Sequence, residues 1–111
     1  MLVGRSSPFG GKTRTRVLLA LSLLEQSYPR ELARILDTSL YGVQMALRGL
    51  ELDGIVSGRN LGRTRVFCIN SRYFAYEDLQ RYLRRLTEPE FDLKKRIETL
   101  RRRPRRTGKS L

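Results

Sequence analysis

The sequence predicts a mainly α fold with one small β-hairpin, an α+β class, within a single domain. Apolar residues recur at helical spacing in several separate segments, which predicts amphipathic helices. One further segment, residues 64–70, is rich in β-branched and aromatic residues and follows a glycine-containing turn, as in a hairpin. A length of 111 residues fits one domain with a modest core. We therefore expect a function that uses a second subunit or a polymeric partner.

Three helices are predicted in the first half of the chain. Residues 13–26 are apolar over most of the helix surface, which indicates a central core helix. Proline is favoured at the first position of a helix, so a second helix is expected at Pro29–Leu36. A short turn at residues 37–39 then leads into a third helix, which is the helix-turn-helix pattern. Arg14 and Arg16 lie near the start of the first helix, where cations are unfavourable, and this placement favours an outside partner.

The third helix is predicted to have one apolar and one polar face. Ser39 can cap its first turn, and Gly54 suits the left-handed residue that ends a helix. The inner stripe consists of Val43, Leu47 and Leu50. The outer face carries four large side chains, Tyr41, Gln44, Met45 and Arg48. All of them except Met45 can hydrogen-bond a base edge or a phosphate.

A hairpin with a basic tip is predicted after this helix. Its parts are a short strand at residues 55–57, a turn at residues 58–63 and a second strand at residues 64–70. We expect Phe67 and Ile69 to face the core, with Arg65 on the same face but close enough to the tip to reach outward. The other face, Val66 and Cys68, is left open as solvent or partner surface.

Further apolar stripes predict helices in the last third of the chain. Residues 73–86 form one helix, which we expect both to cover the core and to pair with a second subunit. Its candidate dimer contacts are Tyr76, Leu79, Tyr82, Leu83 and Leu86. An extra helix is expected within residues 87–103, with Leu93, Ile97 and Leu100 on one side. Residues 1–12 and 104–111 are expected to be a flexible arm and a disordered basic tail, flanking a domain at residues 13–86.

The chain is strongly basic. It has 23 Lys and Arg against 11 Asp and Glu, a formal charge of +12, and a sequence pI near 11.0. Residues 94–111 hold nine of these basic residues and one acid, which leaves 14 and 10 for residues 1–93. Folding does not require such a charge, so we expect a polyanionic partner. Runs such as residues 101–103 are typical of nucleic-acid contacts, although a basic tail can also serve solubility alone.

The residue types that the sequence lacks disfavour several classes of function. With one cysteine and no histidine, we expect neither an internal disulfide nor a Cys/His metal site, and Cys68 is expected to be a small buried apolar residue rather than a redox switch. No apolar run approaches the roughly 18 residues of a membrane span. An enzyme is not expected, because the acids are scattered and residues 10–13 have only the ending of a Walker-type loop. The simplest compartment is a reducing cytoplasm.

The order of these elements resembles the winged helix-turn-helix transcription regulators, and among them the ArsR-like branch. The resemblance spans roughly residues 12–86, and the residues that carry it are 31–36, Ser39, 43–51, 53–56 and the hairpin 58–70. It implies a recognition helix, here the third helix, followed by an arginine-containing wing, here the hairpin. The chain departs from metal-sensing members, which use Cys and His ligands, so metal sensing is not carried over. Gly42 and Gly49 inside the recognition helix and the basic tail also depart from the pattern.

We predict a sequence-specific regulator of transcription that binds double-stranded DNA as a homodimer, without cofactor or metal, in the cytoplasm at the nucleoid. On the recognition helix, the candidate contacts are Ser39, Tyr41, Gly42, Gln44, Met45 and Arg48. On the hairpin they are Arg59, Asn60, Arg63 and Arg65, and in the tail Arg101, Arg102, Arg103, Arg105 and Arg106. Two alternatives stay open. One is a protein assembly module whose tail holds RNA or an acidic partner, and the other is a non-specific, chromatin-like DNA coat.

Overall fold

The computed structural model describes residues 9–102 and contains five helices and one two-stranded antiparallel sheet. In chain order the elements are α1 (Lys12–Leu24), α2 (Pro29–Leu36), α3 (Leu40–Leu52), β1 (Val56–Leu61), β2 (Thr64–Ile69), α4 (Tyr76–Thr87) and α5 (Phe91–Arg102). The predicted α+β class is therefore confirmed. Most of the predicted arm and tail, residues 1–8 and 103–111, lies outside the described residues, and the proposed division into domains stays a prediction.

Helix α1 is the centre of the core. Five consecutive residues at 17–21 are almost wholly buried, and the helix packs against α2, α3, α4, α5 and β2. Its two early arginines both have partners inside the chain. Arg16 donates to the carbonyl of Leu36 at 2.7 Å, and Arg14 forms an ion pair with Asp53 at 3.2 Å. These contacts account for the placement of both arginines without an outside partner.

Helix α3 begins and ends at the residues that the sequence predicts. The Ser39 hydroxyl accepts a hydrogen bond from the backbone amide of Gly42 at 3.0 Å, so one free donor of the first turn is satisfied. Gly54 follows the helix with a φ of 78°, a left-handed conformation that glycine adopts without strain. The stripe of Val43, Leu47 and Leu50 is buried.

The hairpin differs from the prediction in the length of its first strand. Residues 58–61, expected in the turn, pair with β2, and the connection is a tight turn at Gly62 and Arg63. Phe67 and Ile69 are buried, as predicted. Val66 on the other face is buried too, whereas Cys68 is only partly buried, with its Sγ 3.6 Å from the Ser57 hydroxyl.

One residue between α1 and α2 forms an isolated β-bridge with the sheet. Ser27 exchanges two backbone hydrogen bonds with Phe67, of 3.0 and 2.7 Å. The bridge connects the segment before α2 to β2, so the hairpin is attached along one edge to the helix-turn-helix.

Helices α4 and α5 close the core from the C-terminal side. Leu79 and Leu83 of α4 are buried within the chain, and Leu83 has no exposed surface. Both side chains thus cover the core of their own subunit, which is one of the two roles expected of this helix, and their part in a dimer stays a prediction. Tyr76 and Leu86 are partly buried, and Tyr82 is 43% exposed.

Helix α5 packs on α2 and α1. The apolar side chains that face them are Leu93, Ile97 and Leu100, as the sequence predicted. Arg96 donates to the carbonyl of Ile35 at 2.6 Å. No helix within residues 9–102 has both the length and the apolar character needed to cross a membrane.

Candidate nucleic-acid interface

The outer face of α3 presents polar and aromatic side chains to solvent. Tyr41 is 71% exposed and Met45 is 41% exposed, and Gln44 and Arg48 are exposed as well. Because the opposite face of the helix is buried, this face is free to approach a partner. Gln44 and Arg48 are side chains that can make paired hydrogen bonds to adenine and guanine edges in a major groove.

Ser39 and Gly42, also predicted as contacts, serve the N-terminal cap of α3. A Cβ on Gly42 would lie 3.1 Å from the Ser39 hydroxyl, a tight approach that constrains this position even without a partner. The amide of Gly42, the third residue of the helix, is thereby bonded to a side chain rather than to an external anion.

The hairpin lies beside α3 and forms a cleft with it. The cleft, with a volume of about 360 Å³, is lined by Pro29 of α2, by Gln44, Leu47, Arg48 and Glu51 of α3, and by Arg65 and Phe67 of β2. Two predicted recognition residues and one predicted hairpin arginine are thus brought to one place.

Arg65 is held back against α3 instead of extending from the tip. Its Nη2 atom lies 2.6 Å from Oε2 of Glu51, and its guanidinium carbon lies 5.4 Å from the centre of the Phe67 ring. The expectation that Arg65 reaches outward is therefore wrong for the free protein, because a carboxylate on the neighbouring helix holds the side chain.

The other hairpin candidates occupy three different positions. Arg59 lies on the face of the sheet opposite Arg65, and its Nη2 donates to Oε1 of Gln26 at 3.0 Å. Asn60 is exposed and pairs with Arg65 across the hairpin, and Arg63 is exposed in the turn itself. Of these arginines, Arg63 is the one at the tip.

Arg101 is not a free tail residue. It lies in α5 and forms an ion pair with Glu31, and its Nη2 donates to the carbonyl of Gln26 at 3.1 Å. Arg102 is the last residue of the helix. Arg103, Arg105 and Arg106 lie outside the described residues. Arg101 therefore connects α5 to α2 in the free protein, and its contact with DNA stays a prediction.

Sequence reasoning missed Glu51 and Gln26, the two residues that hold the hairpin arginines. Glu51 follows Gln44 and Arg48 at spacings of seven and three, so its place on the same helix face could have been predicted from the sequence. Nothing in the sequence indicates the partner of Gln26. Among residues 9–102, no group of three or more His, Cys, Asp or Glu side chains could hold a metal ion.

Comparison with known proteins identifies the architecture but no family. No family model matches the sequence, and no curated protein matches it. The structure is similar to the crystal structure of the adhesin competence repressor AdcR from Streptococcus pyogenes, with a TM-score of 0.60 and 16% identity. The chain has a winged-helix fold. In that fold α3 occupies the position of the recognition helix and the β1–β2 hairpin the position of the wing.

The similarity to AdcR covers 80% of this chain and 66% of the AdcR chain, just under two thirds of its length. At this identity the likeness is one of fold, and it does not support the ArsR-like branch that the sequence resembles.

Proposed function

We propose that the protein is a sequence-specific transcription regulator that binds double-stranded DNA as a homodimer in the cytoplasm. The recognition helix enters the major groove, where Gln44 and Arg48 contact base edges, and the wing lies on the flanking backbone or minor groove. The observation that carries the proposal is the cleft in which exposed Gln44 and Arg48 lie beside the wing.

The charge distribution supports a polyanionic partner. The chain carries a formal charge of +12, and residues 54–76, which lie between Asp53 at the end of α3 and the start of α4, contain no acid. The basic hairpin is therefore a local cationic surface next to the recognition helix. Such a surface supplies affinity for phosphates of any sequence, whereas the side chains on α3 supply discrimination between bases.

The proposal is tested by selecting duplexes from a random pool and then comparing variants on the selected site and on a scrambled one. Arg48→Ala and Gln44→Ala should each weaken binding to the selected site by about 1–3 kcal/mol, roughly 5–150-fold, with little effect on the scrambled duplex. Arg85→Ala is the matched control for Arg48, because Arg85 is exposed on α4 and its loss changes the net charge equally. Equal loss on both duplexes would support the non-specific coat instead.

A protein-binding module is the second candidate, and the exposure of Tyr41 and Met45 favours it. These side chains put apolar surface on the same face as Gln44 and Arg48, and aromatic and methionine side chains are enriched at protein interfaces. If Arg48→Ala and Gln44→Ala leave DNA binding unchanged but abolish a protein complex, this module replaces the regulator.

A further inference from the structure

An ion pair joins the wing to the recognition helix. Glu51 lies in the last turn of α3, and its Oε2 atom accepts a hydrogen bond of 2.6 Å from Nη2 of Arg65 on β2. At spacings of three and seven residues from Arg48 and Gln44, Glu51 lies on the same side of the helix as these two residues. The pair therefore bridges the two elements that the proposed DNA site uses, and the inference below rests on that proposed function.

A glycine provides the space in which the Arg65 side chain lies. Gly58 is opposite Phe67 on the neighbouring strand, and a Cβ at Gly58 would lie 2.9 Å from Nε and Nη2 of Arg65 and 2.8 Å from Cε2 of Phe67. The Phe67 ring is buried and cannot move aside at low cost. Arg65 is thus confined by the strand below it, by the aromatic ring beside it and by the Glu51 carboxylate at its end.

The stability of the fold does not explain this arrangement. The side chains of Arg65 and Glu51 are 43% and 37% exposed, and ion pairs at such positions contribute little to folding. An acid in the cleft also opposes the approach of DNA phosphates, so its presence favours a role in placing Arg65.

We propose that Glu51 and Arg65 are positioning residues that brace the wing against α3. The brace sets where Arg63, at the wing tip, lies relative to Arg48, so that both reach one duplex at the same time. Arg65 keeps Glu51 as its partner in the DNA complex and does not exchange it for a phosphate. Glu51 thereby affects site preference without touching DNA.

The first test measures the brace in the free protein. Nitroxide labels at Leu52→Cys on α3 and Leu61→Cys on β1, in a Cys68→Ser background, report the distance between helix and wing by pulsed electron–electron double resonance. Both labelled positions are exposed, so the labels disturb no core contact. Glu51→Ala should broaden the distance distribution, whereas Asp78→Ala, which breaks an exposed pair with Arg81 within α4, should leave it unchanged. An unchanged distribution in Glu51→Ala would overturn the brace.

The second test reverses the charges of the pair. Glu51→Arg and Arg65→Glu should each lower the preference for the selected duplex over a scrambled one by about tenfold, within the range of couplings between contacting residues. The double variant restores the pair and has the net charge of the parent, so its preference should return to within about threefold of the parent. The matched control is the double reversal of Asp78 and Arg81, which should not change the preference.

The result that contradicts the brace is a double variant no better than Arg65→Glu alone, because this means that Arg65 itself contacts the DNA. A different failure belongs to the proposed function. If the parent protein shows no preference among duplexes, the DNA regulator is wrong, and the distance distributions still decide whether Glu51 and Arg65 hold the wing.

Discussion

Arg101 near the end of α5 and Glu31 in the first turn of α2 are joined by two hydrogen bonds, Nε to Oε2 at 3.0 Å and Nη2 to Oε1 at 3.1 Å. The Ser27 hydroxyl donates to the same Oε1 at 2.6 Å. A carboxylate near a helix N-terminus is favourable in itself, and here it also receives donors from two other segments. The end of α5 is therefore fixed beside Ser27, the residue that bridges to β2.

This network predicts that Arg101 contributes to folding stability. Arg101→Ala should lower the free energy of unfolding by about 1–2 kcal/mol, because a partly buried charge-assisted pair is lost. Urea denaturation followed by circular dichroism measures the change. Lys95→Ala removes an exposed cation from the same helix and should stay within about 0.5 kcal/mol of the parent. Equal effects of the two variants would mean that the Glu31 pair adds nothing.

Replacing Gly49 and Gly58 by alanine should have different effects on folding stability. At Gly49 a Cβ would overlap Nη2 of Arg14, which is the end of a flexible side chain, and the loss of its exposed pair with Asp53 costs little. Alanine also favours a helix over glycine by about 1 kcal/mol, so Gly49→Ala should be close to neutral. At Gly58 the Cβ meets the buried Phe67 ring, and Gly58→Ala should destabilise by about 1–3 kcal/mol.

Thermal and urea unfolding of the two alanine variants, side by side, measures this difference. Gly49→Ala is the internal control for Gly58→Ala, since each adds a single methyl group next to an arginine. A loss at Gly49 as large as that at Gly58 would show that the Arg14 side chain cannot move from α3.

Ser39 permits a separation of capping from DNA contact. Ser39→Ala should destabilise the protein by about 1 kcal/mol, because the amide of Gly42 loses its acceptor. Aspartate caps a helix as well as serine does, so Ser39→Asp should retain stability. If Ser39 lies close to DNA phosphates, the aspartate should nevertheless weaken binding to every duplex by repulsion. Undiminished binding by Ser39→Asp would remove Ser39 from the DNA contacts.

The residues that the sequence predicted best are those whose signals are local. Pro29 and Leu36 bound α2 as predicted, and Ser39 caps α3, because proline and serine act on the backbone of their own turn. The inner faces of α3 and β2 followed from spacing alone.

Two kinds of feature could not be predicted: ion pairs between residues far apart in the sequence, and a strand segment without a periodic pattern. Arg65 and Glu51 are 14 residues apart, and Arg101 and Glu31 are 70 apart, and any exposed acid was an equally good partner on sequence grounds. Residues 58–61 belong to the first strand, although the glycine and two polar residues at 58–60 show no alternation of apolar and polar positions.

The predicted dimer can be tested at Tyr82, which keeps exposed surface on α4 and whose ring centre lies 6.0 Å from that of Phe9. If α4 pairs with a second subunit, Tyr82→Glu should raise the dimer dissociation constant by about tenfold or more, because a charge enters the interface. Sedimentation equilibrium measures the constant. Thr99→Glu, an equal charge change at an exposed position of α5, should leave it unaltered.

Leu83 cannot serve the same purpose. Its side chain lies wholly within the core, so Leu83→Ala should cost about 2–5 kcal/mol of folding stability whether or not a dimer forms. A monomer produced by Leu83→Ala thus carries no information about the interface, whereas a folded monomer produced by Tyr82→Glu does.

The basic tail is best tested by a truncation that spares α5. Deleting residues 101–111 would remove Arg101 and its pair with Glu31, so any loss of binding would mix a damaged helix with missing charge. Deleting residues 103–111 instead removes Arg103, Arg105, Arg106 and Lys109 and leaves that pair in place.

Each cation that neutralises a phosphate contributes about 0.9 to the slope of log affinity against log salt. The slope should therefore flatten by up to about 3–4, while the preference for the selected duplex over a scrambled one stays the same. Titrations between about 50 and 200 mM salt measure both quantities. Loss of preference with an unchanged slope would mean that the tail reads sequence, contrary to its proposed role.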